Sequence, residues 1–337
     1  MYSVSETDVH GSSAVLHRLW ADNLDVRSGL DARLHWFYRD GPHGPGRALV
    51  LRARGAVVGC AGVGVRALVH RGAPLRAALF ADLAIDRRHR SGLPALTLLR
   101  SIQAEVARDF DLGYGFPNRN AIAVYLRAGF VELGRMYRHV RVLRSHRYLG
   151  AAPWWRAPAA LADRALAAAE RLHELRAQRF ALDWPARFDA RFDRPWQAIH
   201  AGDRIACARS AEFLRWRFAR DRHRIAAVVC RDTGTLVGYG VLRPADHGLI
   251  ELVDLVGAGA RALDAAIALI VPAARELGFA AIGFRFLGDP RVIRVLRAHG
   301  FVRRGEPRSI VVAPGRGPAL AALPAAAWYL TDLDEDA

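Results

Sequence analysis

The two halves of the chain repeat each other, and this duplication restricts the possible folds more than any other feature of the sequence. Four short matches recur in the same order: Trp36 with Trp216, Val57-Val58-Gly59 with Leu236-Val237-Gly238, Asp82-Leu83 with Asp254-Leu255, and Gly129-Phe130 with Gly300-Phe301. The offset is 180 residues at the first match and 171 at the last, and the longer segment from Arg66 to Ala78 accounts for most of the difference. This order predicts one α/β unit that occurs twice, with one hairpin of different length.

The length of 337 residues also fits two domains better than one. We expect a first domain over 1–148, a linker with an amphipathic helix over 149–196, and a second domain over 197–337. Apolar residues make up 52% of the chain and charged residues 24%, which is typical of a globular protein. No apolar run approaches the roughly 18 residues that span a bilayer, and the first residues lack a secretory signal pattern. The sequence therefore predicts a cytoplasmic protein.

A helix is predicted between the two copies, over about 157–178, because this segment is rich in Ala, Leu, Arg and Glu. Its apolar residues recur at spacings of three and four: Leu161, Ala165, Leu166, Ala169, Leu172 and Leu175. Such a pattern gives the helix one apolar face beside an Arg/Glu face. We expect the apolar face to pack on a domain, and the alternative is an amphipathic helix that lies on a membrane.

All 49 basic side chains are arginine, and the chain contains no lysine. This excludes Schiff-base chemistry on an enzyme lysine, covalent pyridoxal phosphate and a P-loop lysine. The net charge of +16 attracts anions, whether nucleic acid, an acidic membrane or a phosphorylated cofactor. Three distant cysteines fit neither a disulfide framework nor a zinc site, and the histidines do not pair at ligand spacing. We therefore expect reduced thiols and no metal.

One segment of the first copy, over 114–130, carries a pattern of polar and small residues at helical spacing. It predicts a strand, a turn, a helix that Asn118 caps, a stop at Gly129 and a second strand. Ala121 and Tyr125 lie four residues apart and therefore on one face of that helix. The pattern presents a phenol beside a small residue that leaves room for a close neighbour.

The spacing Asn-x-x-Ala-x-x-x-Tyr-x-x-x-Gly-Phe, from Asn118 to Phe130, resembles the second signature of the GNAT-type N-acyltransferase superfamily. The second copy keeps the spacing from Asp289 to Phe301, but Leu296 replaces the phenol. The whole chain resembles bacterial tandem-GNAT proteins. The resemblance implies an α/β (α+β) fold of two tandem GNAT-like domains, each a mixed, mostly antiparallel sheet flanked by helices.

The other signature of this superfamily is a strand followed by a loop Arg/Gln-x-x-Gly-x-Gly/Ala that opens a helix and binds the pyrophosphate of an acyl-CoA. Arg90 and Ala95 fall at the outer positions of this pattern, whereas Leu93 stands at the glycine position and Gly92 precedes it. The resemblance implies that acetyl-CoA or another acyl-CoA is bound by Leu83, Ile85, Arg87, Arg88, Arg90, Ser91, Gly92, Leu93, Pro94, Ala95, Asn118 and Ala121. The second copy has no comparable loop, and we expect it to shape the acceptor pocket or to serve packing.

Two catalytic residues are implied by the same resemblance. An amine attacks the thioester, and Tyr125 is expected to donate a proton to the departing thiolate, since a phenol of reference pKa near 10 stays protonated at pH 7. Asp82 is the candidate general base, and Asp86, His89 or a chain of waters are the alternatives. A backbone amide at the end of the Asp82 strand is expected to stabilise charge on the oxygen.

The predicted function is therefore an N-acyltransferase that transfers an acetyl or other short acyl group from acyl-CoA to a small-molecule amine, such as an amino sugar. The alternative is a catalytically inactive GNAT-fold scaffold or CoA-binding protein. A third hypothesis, binding to nucleic acid or an anionic membrane, rests on the net charge and on arginines within 135–147. Those arginines lack interleaved stacking aromatics in a recognisable module, so neither partner is expected. Trp36 and Trp216 are expected in the core or an interface, with acceptor stacking as the alternative.

Overall fold

The computed structural model describes residues 2–24, 29–148, 154, 156–200, 202–220 and 222–335. The first copy consists of β1 (Tyr2–Thr7), α1 (Ser13–Asn23), α2 (Leu30–Leu34), β2 (Arg47–Ala53), β3 (Ala56–His70), β4 (Ala73–Ile85), α3 (Leu93–Asp109), β5 (Leu112–Gly115), α4 (Ile122–Ala128) and β6 (Val131–Val142). The connecting region consists of α5 (Arg156–Arg176), β7 (Phe180–Asp183) and α6 (Asp193–His200). The second copy consists of β8 (Ile205–Cys207), α7 (Ala211–Arg217), β9 (Arg224–Cys230), β10 (Leu236–Pro244), β11 (Leu249–Gly257), α8 (Ala260–Glu276), β12 (Ala281–Gly288), α9 (Pro290–Ala298), β13 (Val302–Pro314), α10 (Pro318–Ala321) and β14 (Trp328–Thr331).

The duplication predicted from the sequence appears in the order of these elements. The series β2-β3-β4-α3-β5-α4-β6 in the first copy corresponds to β9-β10-β11-α8-β12-α9-β13 in the second. The hairpin of β3 and β4 has strands of 15 and 13 residues, whereas β10 and β11 have 9 each. The prediction that a single hairpin differs in length is therefore confirmed.

One sheet runs through both copies. Within the described residues, fourteen strands belong to it, and its main path follows the order β1-β2-β3-β4-β5-β13-β6-β12-β11-β10-β9-β7. Most neighbours are antiparallel, and β4–β5 and β11–β12 are the parallel pairs along this path. The predicted mixed, mostly antiparallel α/β architecture is confirmed, but the two copies share a continuous sheet rather than each having its own.

The copies exchange their last strands. β6 of the first copy pairs with β12 and β13, which both belong to the second copy. β13 in turn lies between β5 and β6, with Val312 opposite Tyr114 on β5. The last strand of each copy thus completes the sheet beside the other. The domain boundaries after residues 148 and 196 remain predictions. Strands that lie on opposite sides of these boundaries pair with each other in the sheet.

Trp36 and Trp216, the first matched pair of the repeat, meet where the copies join. Each indole Nε1 donates a hydrogen bond to the main-chain carbonyl of the other tryptophan, at 2.9 and 3.0 Å. The rings stack with centroids 4.7 Å apart and planes 11° from parallel. A reciprocal contact of this kind is expected of two similar units related by a two-fold axis. The prediction that these tryptophans lie in the core or an interface is confirmed.

Helix α5 does not pack in the predicted orientation. Leu161, Leu172 and Leu175 are 69, 60 and 63% exposed. The inward face carries Glu170 instead, whose carboxylate accepts hydrogen bonds from Arg141 of β6 at 2.9 Å and Arg275 of α8 at 2.8 Å. Because a buried carboxylate needs such partners, this pairing fixes which face of the helix points inward. Helix α5 thus packs against α8 as a connecting helix, as predicted, but the expectation that its leucine face makes this contact is wrong.

A buried ion network fastens the C-terminal segment to the second copy. The fully buried Arg209 donates to both carboxylate oxygens of Asp254 at 3.1 Å and to Asp334 at 2.9 Å. Burial alone would lower the pKa of Arg209, but the two carboxylates raise it well above its ordinary value. Tyr239 donates to Asp254 at 3.0 Å and satisfies a further acceptor.

We expect Arg209→Met to lower the free energy of unfolding by about 3–5 kcal/mol, because it leaves two buried carboxylates without their cation. Urea denaturation at neutral pH measures the effect. The matched control is Arg33→Met in the first copy, where Asp82 keeps a hydrogen bond from Tyr38 and is 8% exposed. A loss for Arg209→Met no larger than that for the control would contradict this account.

Candidate functional site

The turn between β4 and α3 has the geometry of an anion-binding helix start. The Asp86 carboxylate accepts a hydrogen bond from the Arg88 amide at 2.9 Å and closes a short 3-10 turn over Arg87–His89. Gly92 follows with a φ of +86°, and α3 begins at Leu93. Helix geometry leaves the first amides of α3 without an acceptor inside the helix, so they face outward from its positive end.

The glycine of this turn stands one position earlier than the family pattern, and the backbone accommodates the change. Gly92 adopts the left-handed conformation, which leucine disfavours, and a Cβ there would meet open space. Leu93 takes a helical conformation and is 58% exposed. With glycine at position 92 and leucine at position 93, the start of α3 is therefore still accessible from the turn.

A groove of about 340 Å³ connects this turn to α4. Its lining residues are Ser91, Gly92, Leu93, Leu96, Val124 and Arg127. The structure thus brings together the two segments that carry the family signatures. Sequence analysis missed Leu96, Val124 and Arg127. The signal that could have found the last two was their three-residue spacing, which places them on one face of α4.

The arginines of the turn have different surroundings. Arg87, Arg88 and Arg90 are all exposed, and they differ in their hydrogen bonds. The Arg90 guanidinium donates to the Ile85 carbonyl at 3.2 Å and to the Asn23 side chain at 2.6 Å, which ties the turn to the end of α1. Arg87 and Arg88 are therefore the cations of the turn that are most accessible to an incoming phosphate.

His89 connects the turn to the first strand. Its Nδ1 lies 3.1 Å from the hydroxyl of Tyr2, and the two rings meet edge to face with centroids 6.0 Å apart. This contact fixes the side chain on β1. The general-base alternative that sequence analysis left open for His89 stays a prediction.

Helix α4 forms as predicted. The Asn118 side chain accepts hydrogen bonds from the amides of Asn120 and Ala121, both at 3.0 Å. At the other end, Gly129 has a φ of +98° and stops the helix. The predicted stop is therefore confirmed, whereas Asn118 caps the turn that leads into α4, which itself begins at Ile122. Ala121 lies beside the cap and is partly buried against the core that contains Tyr125.

Tyr125 packs inward from α4 and is 5% exposed. Its ring meets Phe130 edge-on at 4.9 Å and lies 6.4 Å from Phe80. Phe80 and Gly115 form the last pair between β4 and β5, so Tyr125 lies beside the point where these parallel strands separate. The groove itself is lined from α4 by Val124 and Arg127. The proton-donating role of Tyr125 stays a prediction.

Asp82 lies at an irregularity on β4. The pairing of β3 with β4 shifts register between Cys60 and Gly62, and Asp82 has a φ of +52°. Its Oδ1 accepts from Arg33 at 2.8 and 3.1 Å, and its Oδ2 accepts from the Tyr38 hydroxyl at 2.7 Å. Burial raises the pKa of Tyr38 well above its ordinary value and the Asp82 carboxylate raises it further, so Tyr38 remains a donor.

Both carboxylate oxygens of Asp82 are therefore engaged, one by a cation and the other by a phenol. Asp82 holds the irregular part of β4 in place through these hydrogen bonds. Asp254, the matching residue of the second copy, is likewise bonded to an arginine and a tyrosine. The role of Asp82 as the general base stays a prediction.

The remaining residues predicted to bind the cofactor lie on both sides of the turn. Leu83 and Ile85 belong to the last part of β4, and Pro94 and Ala95 form the first turn of α3. Beyond Phe80, β4 continues to Ile85 without a β5 partner. These residues therefore flank the opening between the strands, as their order in the sequence implies.

Two larger cavities lie outside this groove. One of about 740 Å³ is lined by the β5–α4 connection, by Arg135 of β6, by residues 306–309 of β13 and by Glu335. Another, of about 730 Å³, lies between the start of α8 and α9, which is the place in the second copy that corresponds to the groove between the α3 turn and α4. From α9 it is lined by residues such as Val292 and Val295, whereas Leu296, the counterpart of Tyr125, is fully buried. Both cavities were missed because they depend on segments distant in sequence.

Comparison with solved structures identifies the fold. A conserved protein of unknown function from Enterococcus faecalis, described as a probable N-acyltransferase, matches over 94% of this chain and 73% of its own, with a TM-score of 0.66 and 11% identity. A GCN5-related N-acetyltransferase (GNAT) from Kribbella flavida matches over 96% and 74%, with a TM-score of 0.62 and 16% identity. This chain has the GNAT fold. Eis1 from Mycobacterium abscessus matches over 96% and 75%, with a TM-score of 0.59 and 16% identity.

These matches to GNAT structures cover more than nine-tenths of the chain. The resemblance seen in the sequence signatures is confirmed. No protein-family model and no curated protein sequence matches the chain. Among the described residues, no helix meets the length and hydropathy needed to cross a bilayer, and no cluster of three or more His, Cys, Asp or Glu could hold a metal ion.

Proposed function

We propose that the protein is an N-acyltransferase that transfers a short acyl group from acyl-CoA to a small-molecule amine. The observation that carries the proposal is the groove between the α3 turn and α4, beside the point where β4 and β5 separate. It combines an anion-binding helix start with an apolar channel on a GNAT fold. That the acceptor is a small-molecule amine is part of this proposal.

Acyl-CoA fits this groove by its chemistry. The start of α3 offers unpaired amides and a positive dipole to the pyrophosphate, and the exposed Arg87 and Arg88 add charge that binds phosphate. Leu96 and Val124 supply apolar surface for the pantetheine arm. The thioester would then lie between the separated ends of β4 and β5, where a β4 amide beyond the last pair with β5 can bind the carbonyl oxygen.

The reaction follows from direct attack. The amine nitrogen forms a bond to the thioester carbon, the carbon–sulfur bond breaks, and a proton leaves the amine for a base or water. Tyr125, at the strand separation, gives its proton to the thiolate and recovers one from solvent. The cavity that β13 and Glu335 share with the β5–α4 connection supports the second copy as part of the acceptor site.

The second candidate is a GNAT-fold protein that binds CoA without catalysis. Two observations favour it: the Tyr125 side chain is 5% exposed, and both oxygens of Asp82 are already bonded. Release of free CoA thiol from acetyl-CoA in the presence of a panel of amines separates the candidates. Binding without thiol release supports the scaffold, and thiol release excludes it.

We expect Arg87→Gln combined with Arg88→Gln to weaken acyl-CoA binding by about tenfold, because two phosphate-binding cations are removed. Isothermal calorimetry with acetyl-CoA, longer acyl-CoAs and free CoA gives the affinities, and a rise in melting temperature gives an independent measure. The control, Arg54→Gln with Arg222→Gln, changes the net charge equally at exposed positions outside the groove. Equal weakening in both variants would leave only a general charge effect, and no binding of any CoA species would overturn the proposed function.

A further inference from the structure

The outward face of α5 carries a continuous apolar stripe. Leu161, Leu172 and Leu175 are each more than half exposed, and the exposed Ala165, Ala168 and Ala169 fill the space between them. The positions recur every three or four residues from Leu161 to Leu175, so they share one side of the 21-residue helix over a length of about 21 Å. A stripe of this size is rare on a surface that faces only water.

The charged residues of α5 are sorted between its two faces. Arg164, Arg171 and Arg176 are exposed beside the stripe, and every exposed residue among the described side chains of α5 is alanine, proline, leucine or arginine. The three acids of α5 are not among its exposed residues, and Glu174 is partly buried in a hollow that it lines with Arg171 and Leu175. Glu170 is 3% exposed and bonds to arginines of β6 and α8, and Asp163 accepts a hydrogen bond from the Ser145 amide. The outward face is therefore both apolar and purely basic.

We propose that this face of α5 binds the surface of an anionic lipid bilayer, with the helix lying parallel to it. Helices that combine leucines with flanking basic residues bind in this way, with the apolar side chains among the lipid headgroups. The inward bonds of Glu170 hold the helix on the protein, so the stripe is presented in a fixed orientation. Trp154, two residues before the helix, is 73% exposed and adds a side chain suited to the headgroup region.

Charge complementarity selects this occupant over a second copy of the chain. Two copies joined through α5 would bring arginine rows together, in a protein of net charge +16. Lipid phosphates offer the opposite charge, and a guanidinium binds them through two parallel hydrogen bonds. Three leucines also favour lipid over nucleic acid, whose backbone offers them no apolar contact.

The test is co-sedimentation of the full chain with vesicles of phosphatidylcholine containing about 40% phosphatidylglycerol, against vesicles of phosphatidylcholine alone. We expect binding to the anionic vesicles at low salt and its loss at high salt. Leu161→Gln, Leu172→Gln and Leu175→Gln together should weaken binding about 30-fold or more, since glutamine keeps the helix but removes the apolar surface. Arg164→Gln, Arg171→Gln and Arg176→Gln should each weaken it about fivefold.

The matched control places the same number of glutamines at exposed apolar positions elsewhere: Val131→Gln, Leu277→Gln and Val302→Gln. It should bind vesicles like the parent chain, and equal melting temperatures confirm that all variants are folded. Absence of binding to anionic vesicles at low salt overturns the proposal, as does equal weakening by the control. A dimer in solution that the leucine variant dissociates would make the stripe a self-association surface instead.

Discussion

Residues 1–148 produced alone are expected to remain without a cooperative fold, although they contain one complete copy of the repeat. The reason is that β6 pairs with β12 and β13, both of which lie beyond this fragment. The fragment would also expose the edge of β5 that β13 covers. An unpaired β6 and an open β5 edge leave main-chain groups unsatisfied and invite aggregation.

Co-production with residues 156–337 should restore a soluble complex, because the missing strands are then supplied in trans. Thermal melting followed by circular dichroism, with size-exclusion chromatography, distinguishes the two states. The control is a chain cut by a protease site inserted after residue 148, which starts from the folded state and should stay assembled. A sharp melting transition of the 1–148 fragment by itself would show that the first copy closes its own sheet.

Tyr125→Phe is expected to lower turnover by about 10² to 10⁴-fold while acyl-CoA affinity stays unchanged. The substitution removes only the hydroxyl, and the ring contacts with Phe80 and Phe130 remain, so the fold should be preserved. Thiol release under saturating acyl-CoA measures turnover, and calorimetry measures the affinity.

The matched control is Tyr114→Phe on β5. Tyr114 is fully buried in the same copy, and its hydroxyl has no hydrogen-bond partner among the described residues. Its removal should leave turnover unchanged and stability equal or slightly higher, because an unsatisfied buried group is lost. Full activity in Tyr125→Phe would remove the acid role from this residue and assign protonation of the thiolate to another group or to water.

Local features of the sequence were sufficient to predict α4 and its ends. The Asn118 cap and the Gly129 stop act over a few residues, so their pattern does not depend on distant parts of the chain. The duplication was predictable for the same reason, since each match is a short segment repeated in order. The position of the groove followed from these two local predictions.

The strand exchange could not be predicted from the sequence. The pairing of β6 and β13 with strands of the other copy is made by main-chain hydrogen bonds, which nearly every residue type can supply, so the sequence does not show which copy receives each strand. The choice depends on the geometry of the whole sheet. The orientation of α5 was predicted wrongly for a related reason. Hydropathy favours the burial of leucine, whereas the inward position of Glu170 depends on two arginines that lie on elements distant in sequence.

The exchanged strands also set the order of events during synthesis. β6 ends at Val142, but β13 begins at Val302, about 160 residues later. At about 5–20 residues per second, the nascent first half emerges from the ribosome about 10 to 30 s before its missing neighbour exists. Until β12 and β13 have been synthesised, its last strand lacks both of its neighbours in the sheet. The sheet of this protein therefore closes only after β13 has emerged, and the delay before closure depends on the speed of the ribosome.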